Sequence, residues 1–129
     1  MPRSATRKTL TLALTTSAAA ALIALPTGSA QAASNCWPTG ITAWGHNAFT
    51  CNNVQGANVY ELVDGATHVI DHLRTNPSWF ACRADFTDRP NGSSVHPYRW
   101  LWTQGDDNAT WGWVSDGDVI SETNTVEPC

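Results

Sequence analysis

Hydrophobic and polar residues alternate most regularly between Tyr98 and Val114. Two apolar runs of period two flank the polar segment Gly105–Asn108, which predicts a β-hairpin with its turn at that segment. Successive side chains of a strand point to opposite faces. The hairpin is therefore expected to carry smaller core residues on one face and four indoles on the other, from Trp100, Trp102, Trp111 and Trp113.

Shorter β-type runs lie upstream of the hairpin, bounded by Gly, Pro and Asn. They predict strands at Asn58–Val63, His68–Thr75 and Ser78–Phe86, a turn at Asp64–Gly65 and a loop at Asp88–Pro97. A short apolar segment, Asp118–Ser121, follows the hairpin. About five short strands without an amphipathic helix predict an all-β domain, a small β-barrel or sandwich.

The N-terminal residues have the pattern of a secretory signal peptide. A basic start is followed by the apolar run Leu10–Leu25, and Ala30-Gln31-Ala32 supplies small residues for cleavage. We expect residues 1–32 to be removed, residues 33–56 to form an irregular extension and residues 57–129 to form the β-domain. The expected localisation is extracellular, with no membrane attachment after cleavage.

Removal of the leader changes the charge of the chain. Residues 33–129 keep all eleven acids but only four arginines and no lysine, which gives a formal net charge of −7. Nucleic acid and anionic membranes are bound through cationic side chains. The acidic balance therefore argues against both as partners.

Four cysteines remain after the predicted cleavage: Cys36, Cys51, Cys82 and Cys129. An even number in a short secreted chain is typical of disulfides. Three connectivities are possible, and we prefer Cys36–Cys51 with Cys82–Cys129. The first would clip the extension, and the second would tie the chain end to a central strand.

Several of these segments together resemble the bacterial SH3-like (SH3b) domains of secreted and cell-wall-associated proteins. The residues that carry the resemblance are Asn58-Val59-Tyr60, Val69–Leu73, the Trp100-x-x-Thr103 spacing and Trp111-Gly112-Trp113-Val114. The segment Leu73–Arg83 also resembles the corresponding sequence of small secreted actinobacterial proteins of this type. The chain departs from the family pattern at Tyr60, where an arginine is usual, and in the long Asp88–Pro97 loop. The resemblance implies a small SH3-like β-barrel that binds peptides or cell-wall fragments through exposed aromatic residues.

The aromatic residues that the resemblance nominates for ligand binding are Tyr98, Trp100, Trp102, Trp113 and Trp79. Indoles offer a large rigid contact area and stack on sugar or peptide groups. The alternative is that these tryptophans fill the core of a small domain. The expected partner is a cell-wall fragment, such as peptidoglycan, or an extracellular peptide or protein, bound by a monomer.

Two other functional classes stay open at this point. A secreted inhibitor of a protease or other hydrolase would act through a rigid loop, either Asp88–Pro97 or the segment between Cys36 and Cys51. A purely structural or developmental surface protein is the third class. We expect no catalytic activity, because the sequence shows no nucleophile with an orienting base. We also expect no metal or cofactor, because the sequence lacks the motif of a dedicated calcium-binding loop. The acids of the turns are expected to be solvated: Asp106, Asp107, Asp116 and Asp118. His68 and His72 fall on a strand-like run, where their spacing does not suit a metal.

Overall fold

A computed structural model describes residues 33–63 and 66–129. The predicted leader, residues 1–32, and the predicted turn at 64–65 lie outside the described residues. The described elements are eight β-strands and two short 3-10 turns: β1 (Trp37–Ala43), β2 (His46–Cys51), β3 (Asn58–Val63), β4 (Ala66–His72), β5 (Ser78–Phe80), β6 (Cys82–Asp85), β7 (Arg99–Gln104), β8 (Trp111–Ser115), η1 (Asp116–Asp118) and η2 (Thr123–Thr125). The chain is therefore all-β, as predicted, over its described part.

The first sheet is antiparallel, with strand order β1-β2-β5. It corrects the prediction of an irregular extension, because β1 and β2 form a hairpin within residues 33–56 and β2 pairs with β5. β1 lies at the edge of the sheet and is largely exposed on both faces, so its sequence has no hydrophobic alternation. A bulge between Pro38 and Thr42 interrupts its pairing with β2.

The second sheet has the order β4-β3-β8-β7-β6 and is also antiparallel. The predicted hairpin is confirmed as β7 and β8, with Trp102 opposite Trp113 and Gln104 opposite Trp111. β3 joins β8 beside Gly112, where an added Cβ would lie 2.7 Å from the Tyr60 carbonyl oxygen. Only glycine permits this close approach of the two strands.

The segment predicted as one strand, Ser78–Phe86, is divided between the two sheets. β5 belongs to the first sheet and β6 to the second, and buried Ala81 lies between them, with its N–H donating to the Trp102 carbonyl. The described strands thus form two open sheets of three and five strands. The prediction of a small β-barrel of about five strands is therefore wrong in its architecture: the two sheets do not close, and β1 and β2 are strands that the sequence pattern does not predict.

A single hydrophobic core joins both sheets. Its buried residues come from every part of the described chain: Cys36, Cys51, Ala57, Val59, Leu73, Phe80, Leu101, Val114, Val119 and Val126. The segment predicted as a short strand, Asp118–Ser121, instead begins at the last residue of η1 and makes one bridge, from Val119 to Asn53. Its core residue, Val119, thus lies beside a turn rather than within a sheet.

Two disulfides close the fold, Cys36–Cys51 and Cys82–Cys129, and they confirm the preferred pairing. The first joins the start of β1 to the end of β2, and the second fastens the C-terminal residues to β6. Such bonds persist in an oxidising compartment. Within residues 33–63 and 66–129, no helix has the length and apolar character needed to cross a bilayer.

Candidate functional site: a cluster of indoles on the five-stranded sheet

The β7–β8 hairpin separates its residues by face, as its sequence pattern predicts. Leu101, Thr103 and Val114 are at most 1 % exposed and belong to the interior. The opposite face carries Trp102 and Trp113 as a cross-strand pair. One face of the hairpin thus anchors the fold, and the other presents aromatic rings.

Five tryptophans from three strands and one turn pack against each other, and we call them the indole cluster: Trp44, Trp79, Trp102, Trp111 and Trp113. Ring centroids lie 4.9 Å apart for Trp102 and Trp113, 5.4 Å for Trp79 and Trp111, and 6.1 Å for Trp102 and Trp111. Such pairs stabilise beyond the area that they bury. The cluster is therefore a rigid aromatic surface rather than a set of independent side chains.

Trp44 covers the cluster from the turn between β1 and β2. Its ring lies 5.4 Å from Trp102 and 5.5 Å from Trp111, in edge-to-face geometry, yet the residue is 62 % exposed. Trp102, Trp111 and Trp113 are half-buried beneath it. The outer ring of the cluster is thus available to a ligand, and the inner rings are accessible in part.

Trp44 adopts a backbone conformation that a bulky residue rarely takes. Its φ is +54°, and that of the following Gly45 is +74°, the pattern of a two-residue type I′ turn. Asn or Gly is preferred at the first of these positions. Strained residues of this kind cluster at functional sites, which makes the side chain of Trp44 a candidate for function.

A small apolar cavity lies beside the cluster. Its volume is about 270 Å³, and it is lined by Trp44, His46, Trp102, Trp113 and the Cys82–Cys129 disulfide. Its lining exposes almost only apolar atoms. Ligand pockets for drug-sized molecules span about 300–1,000 Å³, so this cavity suits a single small chemical group.

The five residues nominated from the sequence occupy different environments. Trp102, Trp113 and Trp79 belong to the indole cluster. Trp100 is only 4 % exposed, and its Nε1 donates to the Arg89 carbonyl at 3.0 Å, so we leave it out of the candidate surface. Tyr98 is 43 % exposed but makes none of the ring contacts of the cluster.

Sequence reasoning did not nominate Trp44 or Trp111. Trp111 was recognised as part of the indole face of the hairpin but was not placed among the ligand-binding residues. Trp44 lies far from the hairpin in sequence and reaches it only through the β1–β2 turn. The Trp44-Gly45 dipeptide, with Gly where a type I′ turn favours it, is the one signal in the sequence from which this turn could be predicted.

The hairpin turn that precedes Trp111 is held by a buried carboxylate. Asp71 Oδ1 accepts the backbone N–H groups of His72 and Asp107, and Oδ2 accepts those of Asn108 and Thr110, at 2.8–3.1 Å. Burial raises the pKa of Asp71, but these four hydrogen bonds outweigh it, so the pKa is lowered overall. Asp71 therefore stays ionised and fixes the turn.

Two acids expected as solvated turn residues make ordered contacts around this turn. Asp107 accepts two hydrogen bonds from the Arg74 guanidinium, at 2.8 and 2.7 Å, and this contact lowers the pKa of Asp107 to about 2. Asp106 Oδ2 accepts the backbone N–H groups of Arg74 and Thr75, at 2.6 and 3.2 Å. These acids connect the hairpin to the segment after β4.

Asp116 is not the solvated turn residue that the sequence predicts, because it is 6 % exposed and lies inside the fold. Burial raises its pKa, and its carboxylate accepts hydrogen bonds from Thr123 and Ser93. His96 lies near this group but has a separate partner, Glu122, at 2.8 Å. Ser93 and His96 thus contact different carboxylates and do not form a nucleophile–base pair.

In the described part of the chain, no group of three or more His, Cys, Asp or Glu side chains is arranged to hold a metal ion.

Comparison of the chain with protein-family models, curated proteins and solved structures finds no match.

Proposed function

We propose that this protein is a secreted, monomeric, non-catalytic binding module of the SH3-like type, which recognises cell-wall peptidoglycan or an extracellular peptide through its indole cluster. The proposal is carried by one observation: five tryptophans, brought together from the β7–β8 hairpin, from β5 and from the β1–β2 turn, form a partly exposed aromatic surface. A tryptophan that served only the core would be covered, as Trp100 is.

The SH3-like assignment is supported by the order of elements in the C-terminal half. β6, β7 and β8 form an antiparallel meander, and the Trp-Gly-Trp-Val motif of β8 leads directly into η1. This motif is the most specific part of the sequence resemblance. The three-stranded first sheet is an addition to that arrangement.

Retention on insoluble peptidoglycan tests this function. The oxidised secreted protein is expected to sediment with the polymer, and Trp44→Ala is expected to weaken retention about tenfold or more, since loss of an aromatic hot spot costs about 2 kcal/mol. Trp37→Ala is the matched control, because Trp37 is also exposed (41 %) but lies outside the cluster. Equal retention of Trp44→Ala and Trp37→Ala would show that the indole cluster does not bind peptidoglycan. If the wild-type protein is not retained, peptidoglycan is not the ligand and extracellular peptides are tested next.

A secreted inhibitor of a hydrolase is the second candidate function, and one feature favours it. The Asp88–Pro97 loop is braced by Asn91, whose amide group donates to the His96 and Arg99 carbonyls and accepts from the Ser93 N–H. Val95 projects from this loop with 65 % exposure. Inhibition of a protease that disappears in Val95→Asp, but survives in Trp44→Ala, would establish this function instead.

A further inference from the structure

We propose that the cavity beside Trp44 binds a quaternary ammonium group, such as the trimethylammonium group of choline. This inference rests on the proposed function, in that it takes the indole cluster as a binding surface, and it names the chemical group that the cavity recognises.

The first argument is the arrangement of the rings. Trp44 and Trp102 are inclined by 87° and Trp102 and Trp113 by 56°, so the three indoles approach the cavity in different orientations. A flat sugar ring stacks best on a flat aromatic platform, and the three rings that line the cavity do not form one. Aromatic residues grouped around a small space are instead typical of sites for methylated ammonium groups.

The second argument is that the cavity lining exposes almost no polar surface. Besides the three indoles, the lining consists of His46 and the Cys82–Cys129 disulfide, and nearly all of the surface they expose is apolar. A primary ammonium group that entered would lose hydrogen bonds to water without replacing them. A quaternary ammonium group has no N–H to satisfy, so it enters at lower cost.

The third argument is charge. Among the described residues no arginine lines the cavity, and residues 33–129 carry a formal net charge of −7. Glu127 lies 3.5 Å from the cavity-lining His46, and the side chain and backbone N–H of Asn47 donate to its carboxylate. These hydrogen bonds lower the pKa of Glu127, so it remains a carboxylate. The site therefore attracts a cation and offers it aromatic rather than polar contacts.

Titration with three matched ligands tests the inference. Choline, its neutral isostere 3,3-dimethylbutan-1-ol and the primary amine ethanolamine are each added to the oxidised secreted protein at constant ionic strength, and calorimetry with tryptophan fluorescence reports binding. We expect choline to bind at least about tenfold more tightly than either of the others. Equal binding of choline and the neutral alcohol would overturn the proposal and show a simple apolar pocket, and failure of choline to bind would also overturn it.

Location is tested by variants and by NMR. Trp44→Leu keeps apolar bulk without an aromatic ring, so it should weaken choline binding about tenfold or more, whereas Trp37→Leu should leave it unchanged. In the wild-type protein, choline should shift the indole N–H resonances of Trp44, Trp102 and Trp113 but not that of Trp37. Choline binding that leaves these resonances and the Trp44→Leu affinity unchanged would overturn the site.

The peptidoglycan experiment separates this inference from the proposed function. Peptidoglycan retention without choline binding would refute the quaternary ammonium site and leave the wall-binding function standing. Choline binding without peptidoglycan retention would support the site and refute peptidoglycan as the ligand.

Discussion

The buried carboxylate of Asp71 offers the sharpest test of how the hairpin is held. Asp71→Asn keeps the shape of the side chain but replaces one acceptor oxygen by an NH₂ group. Each Asp71 oxygen accepts two backbone N–H groups, so the variant leaves two of the four donors without a partner. A hydrogen bond to a charged group contributes about 1.5–3 kcal/mol. We therefore expect the free energy of unfolding to fall by about 3–6 kcal/mol.

Urea unfolding under non-reducing conditions measures this change, with Asp107→Asn as the matched control. Asp107 lies in the same turn, but its ion pair with Arg74 is at the surface, so its loss should destabilise the fold much less. A loss below about 1 kcal/mol for Asp71→Asn would refute the reasoning, because two hydrogen bonds to a charged group would then contribute almost nothing to stability.

The pH dependence of the difference in unfolding free energy between wild type and Asp71→Asn gives a second test. The pKa of Asp71 is lowered in the folded protein, so the ionised carboxylate contributes stability above its unfolded pKa of about 3.9 and loses that contribution as the pH falls through the folded value. The gap between wild type and Asp71→Asn should therefore narrow from about pH 5 to about pH 2. A constant gap over that range would contradict the assignment of an ionised Asp71.

Three further predictions follow from single contacts. Gly105→Ala should destabilise the fold by about 1–3 kcal/mol or more in urea unfolding, because the added Cβ would lie 2.1 Å from Asp71 Cγ. Replacement of both Cys82 and Cys129 by Ala should cost about 4 kcal/mol on the chain-entropy model, measured in the same way, since the bond closes a loop with a sequence separation of 47. Trp44→Leu should remove the largest share of acrylamide-accessible tryptophan fluorescence, and an unchanged accessible fraction would contradict the exposure of Trp44.

The sequence predicted the hairpin well because its two faces have different surroundings. Leu101 and Val114 are buried while Trp102 and Trp113 are half-buried, so burial alternates with the period of a strand. The disulfide pairing was also predictable. Each bond joins segments that a small stapled domain must bring together, the ends of a hairpin in one case and the chain end in the other.

The first sheet could not be read from periodicity. Its edge strand β1 is largely exposed on both faces, so its sequence contains too little alternation to mark a strand. The break at Ala81 was hidden for a related reason. The sequence from Ser78 to Phe86 alternates without interruption, and only the pairing of β5 with β2 shows that the chain changes sheets there.

The candidate site was found in part because its residues are of two kinds. Trp102 and Trp113 are neighbours through local strand pairing, which sequence reasoning can follow. Trp44 joins them through a tertiary contact from another sheet. The burial of Trp100 was unpredictable for the same reason, because it depends on the Asp88–Pro97 loop, where Arg89 supplies the partner of its indole N–H.

The bulge in β1 has a consequence for the behaviour of the protein in concentrated solution. An edge strand with exposed Trp37 and Ile41 would ordinarily invite pairing with the same strand of another molecule. Pro38 has no backbone N–H to donate to a neighbouring strand, and the bulge before Thr42 bends β1 away from a straight template. The sheet can therefore keep large apolar side chains at its border while its irregular backbone opposes growth into fibres.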